Sequence, residues 1–375
     1  MEPFKNRIDA ALVRAAASHL RRVHRAFPHE RFVRLATDGL AALELKARVQ
    51  HVAAAFAATL PGSFAAAADV LEASLAPARA DTDLGALRVG DDGLAGWIVW
   101  PMTDFVATNG LSDPRRALRA LHAMTQRFTA EYAVRPFFVE HEALVLATLR
   151  EWVGDPSAHV RRLVSEGSRP RLPWGLQLRS LIADPSPTLP LLEALQDDPS
   201  EYVRRSVANH LNDIAKDHAD VVGAWLERHL PGASPQRRAM LGHASRTLVK
   251  RGDPRVLRAL GLGQPLRGSA SLVLRPSTAR IGDSVAVVVV LRSTARTAQS
   301  LVVDYRVHHV LASGSTGAKV WKGWRVDLAP HEKRELSKKH SLRQVTTRRL
   351  RAGRHAVDLL VNGKVVARAA FVLRA

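Results

Sequence analysis

Apolar positions recur at helical spacing through the first two thirds of the chain and at alternating spacing through the last third. From residue 8 to about 260 the sequence is rich in alanine and leucine, poor in β-branched runs, and broken often by Pro or Gly. Helices are predicted over 8–26, 41–59 and 64–75. A loop is predicted over 81–96, where Asp and Gly gather, and helices resume near Trp97 in short pieces. Around 261–268 the texture changes. Residues 271–274, 285–292, 301–310, 320–326, 355–361 and 365–373 alternate or are β-branched, separated by turn signals such as Ile281-Gly-Asp283 and Asn362-Gly363. About seven short strands in roughly 110 residues is the pattern of an immunoglobulin-like β-sandwich.

An internal repeat organises the helical part. Asp155-Pro-Ser-Ala-His-Val-Arg-Arg162 recurs as Asp198-Pro-Ser-Glu-Tyr-Val-Arg-Arg205, an offset of 43 with six of eight positions identical. That period falls within the roughly 40–47 residues of HEAT and armadillo units. Asp-Pro is expected to open the second helix of each unit, with Asp as cap and Pro in the first turn. A weaker echo begins at Ser234-Pro-Gln-Arg-Arg238. The expected fold is therefore mainly α: a HEAT-like α-solenoid over 1–263, followed by a C-terminal immunoglobulin-like β-sandwich over 264–375.

Charge sharpens this division. Of the formal net charge of +20, residues 265–375 hold +15, with 21 basic and six acidic side chains. A folded surface of that density suits a polyanion, nucleic acid being the commonest. There is no cysteine, so disulfides and thiolate nucleophiles or metal ligands are excluded. No apolar run approaches the roughly 18–20 residues that span a bilayer, so a soluble cytoplasmic protein is expected.

Candidate chemistry concentrates at 160–174. Val160, Leu163 and Val164 pack one helical face, and Glu166 then sits directly before Gly167, expected to stop the helix. A carboxylate there opposes the local field, since helix C-termini favour cations. Arg169 and Arg171 follow, with Pro170 and Pro173 interleaved, and then Trp174. The 43-residue offset aligns Glu166 with Asn209, and Asp213 lies one turn further on. On that second helix Val203, Val207, Leu211 and Ile214 form the apolar stripe, leaving Ser206, Asn209, Asp213 and Lys216 on a polar face. With adjacent helices about 8–10 Å apart, Glu166 and Asp213 should look onto one surface. Glu131, one rough repeat earlier, has an intrahelical pair with Arg135 as its ordinary reading. No second cluster completes a coordination shell around His210, Asp213 and Asp217, so no metal is expected.

The runs Glu131-Tyr-Ala-Val-Arg-Pro136, Ser165-Glu-Gly-Ser-Arg-Pro-Arg-Leu-Pro-Trp174 and Ser206-Val-Ala-Asn-His-Leu-Asn-Asp-Ile-Ala-Lys216 closely resemble the AlkC family of bacterial DNA alkylation-repair glycosylases. Leu43-Glu-Leu-Lys-Ala-Arg48 and residues 97–110 are similar to it as well, so the resemblance covers most of the helical region. It implies a monofunctional glycosylase that removes 3-methyladenine and 3-methylcytosine from duplex DNA without flipping the lesion. It also implies Glu166, Asp213 and Glu131 as carboxylates near the scissile bond, and Trp174 at the sugar or lesion. Arg169 and Arg171 would hold phosphates, Lys216 would lie beside them, and Arg348, Arg349 and Arg351 would contact DNA from the basic sandwich. A monomer is expected; no cofactor is expected, because an N3-methylated base is already a cationic leaving group. Two readings compete: a non-catalytic HEAT-repeat scaffold for nucleic acid, and a protein-interaction solenoid with an acidic partner.

Overall fold

The computed structural model describes residues 3–78, 86–262, 264–311, 313–344 and 350–375. Helices come first: α1 (Ala10–Val23), α2 (His29–Thr37), α3 (Leu45–Ala57), α4 (Phe64–Ala73), α5 (Val99–Asn109), α6 (Pro114–Thr125), α7 (Arg135–Trp152), α8 (Ala158–Gly167), α9 (Arg179–Ala183), α10 (Leu189–Leu195) and α11 (Glu201–Ile214). Then come α12 (Ala219–His229), α13 (Pro235–Ala244), α14 (Arg246–Arg251) and α15 (Pro254–Ala259). The strands are β1 (Gly268–Arg275), β2 (Thr278–Arg280), β3 (Ser284–Ser293), β4 (Gln299–Val310), β5 (Thr316–Leu328), β6 (Lys333–Ser341), β7 (Gly353–Val361) and β8 (Lys364–Arg374). No helix among the described residues is long and apolar enough to cross a membrane.

The chain divides into two compact units, 1–217 and 218–375. Sequence composition changes at 263, but α12 to α15 share the second unit with the strands. Helix α2 was hidden from the apolar pattern because it is short and carries Arg31 and Arg34, yet Phe32 and Ala36 are fully buried. Phe32 stacks on Phe56 of α3 at 4.9 Å. Part of the expected loop over 81–96 lies outside the described residues; the remainder returns to α4 through a bridge of Leu94 to Leu75.

The strands form two sheets, β1-β3-β6 and β2-β8-β7-β4-β5. Alternation predicts which side faces in: on β3, Val285, Val287, Val289 and Leu291 are buried, and they meet Val303, Tyr305, Val307, Val357, Leu359 and Phe371 in one core. Two strands escape the hydrophobic pattern. β2 has only three residues, and β6 reads KRELSKKHS with only His340 buried. β6 closes one edge of its sheet, where lysines discourage pairing with another chain.

Asn362-Gly363 makes the β7–β8 turn as its sequence suggests, with both residues at positive φ (48° and 77°). The Asn362 side chain accepts from the Val302 amide and donates to the Gln264 carbonyl, both at 2.8 Å. Gly363 lies against Gly252, the left-handed cap of α14, so closely that a Cβ on Gly363 would stand 2.4 Å from the Gly252 Cα. Gly363→Ala therefore meets both a backbone clash and an unfavourable φ. It should cost the C-terminal unit roughly 2–3 kcal/mol in urea unfolding; a loss below about 0.5 kcal/mol would refute this contact.

Candidate active site

Helices α8 and α11 pack side by side, and the internal repeat explains how. Asp155 and Asp198 do not cap their helices directly. Each accepts from the amide two residues on, Ser157 and Ser200, at 2.8 Å, and these serines are the N-caps. The helices thus begin at Ala158 and Glu201, later than the Asp-Pro pattern predicts. Arg161 folds back onto the carbonyls of Asp155 and Pro156 and also grips Asp198 with two bonds of 2.6 and 3.0 Å. One repeat is thereby pinned to the next through a bidentate, largely buried pair.

The apolar stripes of both helices are buried as expected, but so are Ser206 and Asp213 of the polar face, while Asn209 is half-buried and Lys216 exposed. Ser165, Glu166, Ser206, His210 and Asp213 lie between α8 and α11, with Glu166 6% and Asp213 2% exposed. Gly167 closes α8 in ordinary helical conformation; it is small because a Cβ would come within 2.6 Å of Val134.

An ionic chain of alternating sign runs through this seam. Arg162 pairs with Glu131 and also reaches Glu166 at 3.6 Å. Arg169 donates from Nη1 to Glu166 Oε1 at 2.6 Å and from Nε to Asp213 Oδ2 at 2.8 Å. Lys216 Nζ donates to Asp213 Oδ1 at 2.7 Å. The Ser206 hydroxyl donates to Glu166 Oε2 at 2.6 Å. The order is thus Glu131, Arg162, Glu166, Arg169, Asp213, Lys216. Burial alone would push the Glu166 carboxyl up, but Arg162, Arg169 and the Ser206 hydroxyl outweigh it and hold the group below the usual carboxylate range. Burial likewise works against charge on Arg162 and Arg169, and the carboxylates reverse it.

The expected helical pair of Glu131 with Arg135 does not form, because Glu131 sits in the turn before α7. Thr129 and Arg162 hold it instead. Tyr132 beside it stacks on Trp100 at 5.4 Å, and burial, with Glu131 adding to it, pushes its phenol up to about 12. Arg135 is fully buried and donates to the carbonyls of Gly167 (2.9 Å), Pro170 (3.5 Å) and Leu176. It ties down the loop that carries Trp174. Burial, then Arg169, depress it to about 10.

Trp174 is 68% exposed and holds φ of 65°, a left-handed conformation costly for a bulky residue. Its carbonyl accepts from Lys46 Nζ. Arg171 is partly exposed and pairs with Asp217 at 2.7 Å, whereas Arg169 is buried between the carboxylates. Arg351 is exposed in the C-terminal unit; Arg348 and Arg349 lie outside the described residues. No group of three His, Asp or Glu suited to a metal occurs among the described residues.

Sequence reasoning missed Arg162 and Arg135 as parts of this site; it placed Ser206 on the polar face without its bond to Glu166, and weighed His210 only as a metal ligand. Arg162 had a readable signal in its spacing of four from Glu166. Its repeat counterpart Arg205 merely pairs with exposed Glu201. Asn209, the register partner of Glu166, is half-buried, and Ser206 makes the bond to Glu166 instead.

Comparison with known proteins fits this arrangement. The family described as DNA alkylation repair enzyme matches residues 125–248, which include all three carboxylates. The C-terminal Ig-like domain of the uncharacterised protein YhaZ matches residues 268–375. Uncharacterized protein YhaZ of Bacillus subtilis (strain 168) is 32% identical over 367 residues, 97% of this chain and 98% of that protein. The structure of Pseudomonas fluorescens alkylpurine DNA glycosylase AlkC, bound to DNA containing an abasic site analog, matches with a TM-score of 0.90 and 33% identity over 100% of both chains. The class is therefore that of DNA alkylation repair enzymes with a C-terminal Ig-like domain. Within it, the chain belongs to the AlkC family.

His210 supplies a pH test of the seam. Its Nδ1 faces the Ser165 carbonyl at 2.9 Å, and burial pushes its pKa down to about 3. An unfolded imidazole titrates near 6.5, so the unfolded chain binds the extra proton between those values. The stability this group contributes is complete above about pH 6.5 and is lost as pH falls toward 3. Between pH 7 and 5 the loss should be roughly 2 kcal/mol. Urea unfolding of the parent and His210→Asn at pH 7, 6 and 5 measures it: the variant should show a slope shallower by about that amount, and equal slopes would contradict a buried neutral His210.

Proposed function

We propose that the chain is a monofunctional DNA glycosylase that hydrolyses the N-glycosidic bond of cationic alkylated bases, 3-methyladenine and 3-methylcytosine, in duplex DNA. The observation that carries this reading is the alternating ionic chain, which lies inside the span shared with DNA alkylation repair enzymes. The printed activity of the Pseudomonas fluorescens relative supports it. The helices are read as a HEAT-like α-solenoid that cradles the duplex, with the protein acting as a monomer.

N3 methylation places a positive charge on the base, so the departing base needs no proton. As the C1′–N bond breaks, its electron pair neutralises the base and positive charge passes to the deoxyribose. Anionic carboxylates beside the sugar stabilise that oxocarbenium character. Water then adds to C1′, and a carboxylate orients it or accepts its proton. Glu166 and Asp213 share these roles, with Glu131 reinforcing the negative field through Arg162. Because the methylated base leaves readily, it need not be flipped into a pocket that supplies an acid.

The roles of the arginines separate by burial. Arg169 is a positioning residue: it helps to hold Glu166 below the ordinary carboxylate range and, bonded to both carboxylates, fixes their spacing. Arg171 and Lys216 stand nearer the surface as phosphate contacts, and Arg348, Arg349 and Arg351 are proposed DNA contacts of the sandwich. Trp174 presents its ring to the sugar or to the cationic lesion.

Single-turnover release of base from a duplex containing 3-methyladenine tests the proposal. Glu166→Gln and Asp213→Asn should each slow release on the order of 10²–10³-fold, while binding to undamaged duplex is unchanged or tighter. No release by the parent would overturn the activity. Full activity in both variants would move the chemistry elsewhere.

A further inference from the structure

Residues 43–48 lie outside the ionic chain, but one of them reaches the loop that carries Trp174. The Gly175 amide donates to the Leu172 carbonyl at 3.1 Å, closing a turn with Pro173 second and Trp174 third. Pro in the second place and positive φ in the third is the pattern of a type II turn, whose third place ordinarily falls to glycine. A tryptophan there is strained, and such strain persists only where surrounding contacts hold it. Arg135 clamps the carbonyls of Gly167, Pro170 and Leu176, which lie on either side of the turn. Within the turn, the Trp174 carbonyl accepts from Lys46 Nζ, 128 residues away in sequence.

Lys46 does little for its own helix. It is the second residue of α3, where a cation opposes the helix dipole, and it is exposed. Its backbone is nonetheless fixed. Arg48, 5% exposed, donates to the carbonyls of Leu43 (2.9 Å), Ala41 (2.9 Å), Lys5 (2.8 Å) and Ile8 (2.9 Å), fastening the start of α3 to the chain before it. The same helix packs against α5. There Asp104 lies one turn beyond Trp100, which stacks on Tyr132 beside Glu131. Asp104 is half-buried and forms no ion pair among the described residues. Burial raises its carboxyl, and the Lys46 ammonium opposes the rise.

We propose that Lys46 is a positioning residue for Trp174: its ammonium, balanced by Asp104, holds the carbonyl of the strained turn and so sets where the indole stands against a cationic base. This rests on the reading of Trp174 as a contact of the sugar or the lesion. A carbonyl fixed in direction fixes ψ of its own residue, and the ring follows. The arrangement also answers a problem of charge. A free ammonium beside an indole that receives a cation would repel that cation; here it is bonded to the carbonyl and offset by Asp104. Without the bond the turn relaxes toward negative φ and the ring leaves its place, a displacement that costs up to about 10²-fold in rate.

The experiment measures single-turnover release of 3-methyladenine from duplex by the parent, Lys46→Met, Trp174→Ala and the double variant. The Trp174 indole N–H resonance, assigned by its loss in Trp174→Ala, is recorded beside it. Lys46→Met should shift that resonance and slow release by about tenfold or more. Lys46→Arg should restore both. In the Trp174→Ala background Lys46→Met should add no further loss, because it acts through the indole. Losses that multiply in the double variant, or a resonance unmoved by Lys46→Met, would overturn the proposal. So would a fall of about 0.9 in the slope of log affinity against log salt on undamaged duplex, which would make Lys46 a phosphate contact instead. Asp104→Asn leaves Lys46 in place and should move the resonance in the same direction by less. If Lys46→Met fails to fold, an unmoved resonance in Asp104→Asn overturns the proposal in its stead. A parent that releases no base, with the resonance moved by Lys46→Met and restored by Lys46→Arg, would reject the glycosylase reading and leave the placement of Trp174 by Lys46 standing.

Discussion

Carboxylates stay ionised in a nearly dry helical interior only when cations share that interior, and the N-terminal unit is arranged around this requirement. Glu166 and Asp213 are almost fully covered, and unpaired charge taken from water there would destabilise the fold. Arg169 bonds to both, Arg162 spans Glu131 and Glu166, and Lys216 takes the outer oxygen of Asp213. Removal of any one cation leaves a buried anion unbalanced, which costs more than the pair itself contributes. Negative charge is thus stored where the proposed reaction develops positive charge.

The surrounding structure holds this chain in register. Arg161 clamps one repeat to the Asx turn of the next, which fixes α8 against α11. Arg135 gathers three carbonyls of the 167–176 loop, so the same buried cation that fixes Trp174 also borders the carboxylates. The stack of Trp100 on Tyr132 steadies the turn that offers Glu131. The C-terminal unit solves a related problem on a smaller scale. There the buried Asp304 accepts from the Gly323 amide of β5, and the buried Asp358 is held by Arg368 and His308.

Much of this was legible in the sequence wherever a local pattern decides the outcome. Helical apolar spacing located α1, α3, α4, α8 and α11, and alternation located β3, β4 and β7. The 43-residue repeat predicts that Glu166 and Asp213 look onto one surface. What stayed hidden is tertiary. Ser206 and Asp213 on the polar face of α11 look solvent-facing by periodicity, yet α8 covers them. Glu131 has Arg135 four residues away, but a turn separates them and Arg162 arrives from another helix. The charged edge strand β6 carries almost no hydrophobic signal, and the boundary of the compact units at 217 leaves no mark in composition.

In the proposed reaction, guanidiniums hold the buried Glu166 carboxyl below its ordinary range. The pH dependence of single-turnover base release, corrected for spontaneous loss, tests it most directly in the parent and in Arg169→Gln. With Glu166 held below the ordinary range, the parent rate should stay level from about pH 8 to 5. The variant should gain an acid limb inside that window, because burial then raises the carboxyl unopposed by Arg169. A parent rate that falls through a single ionisation between pH 5 and 7, or two superimposable profiles, would contradict it.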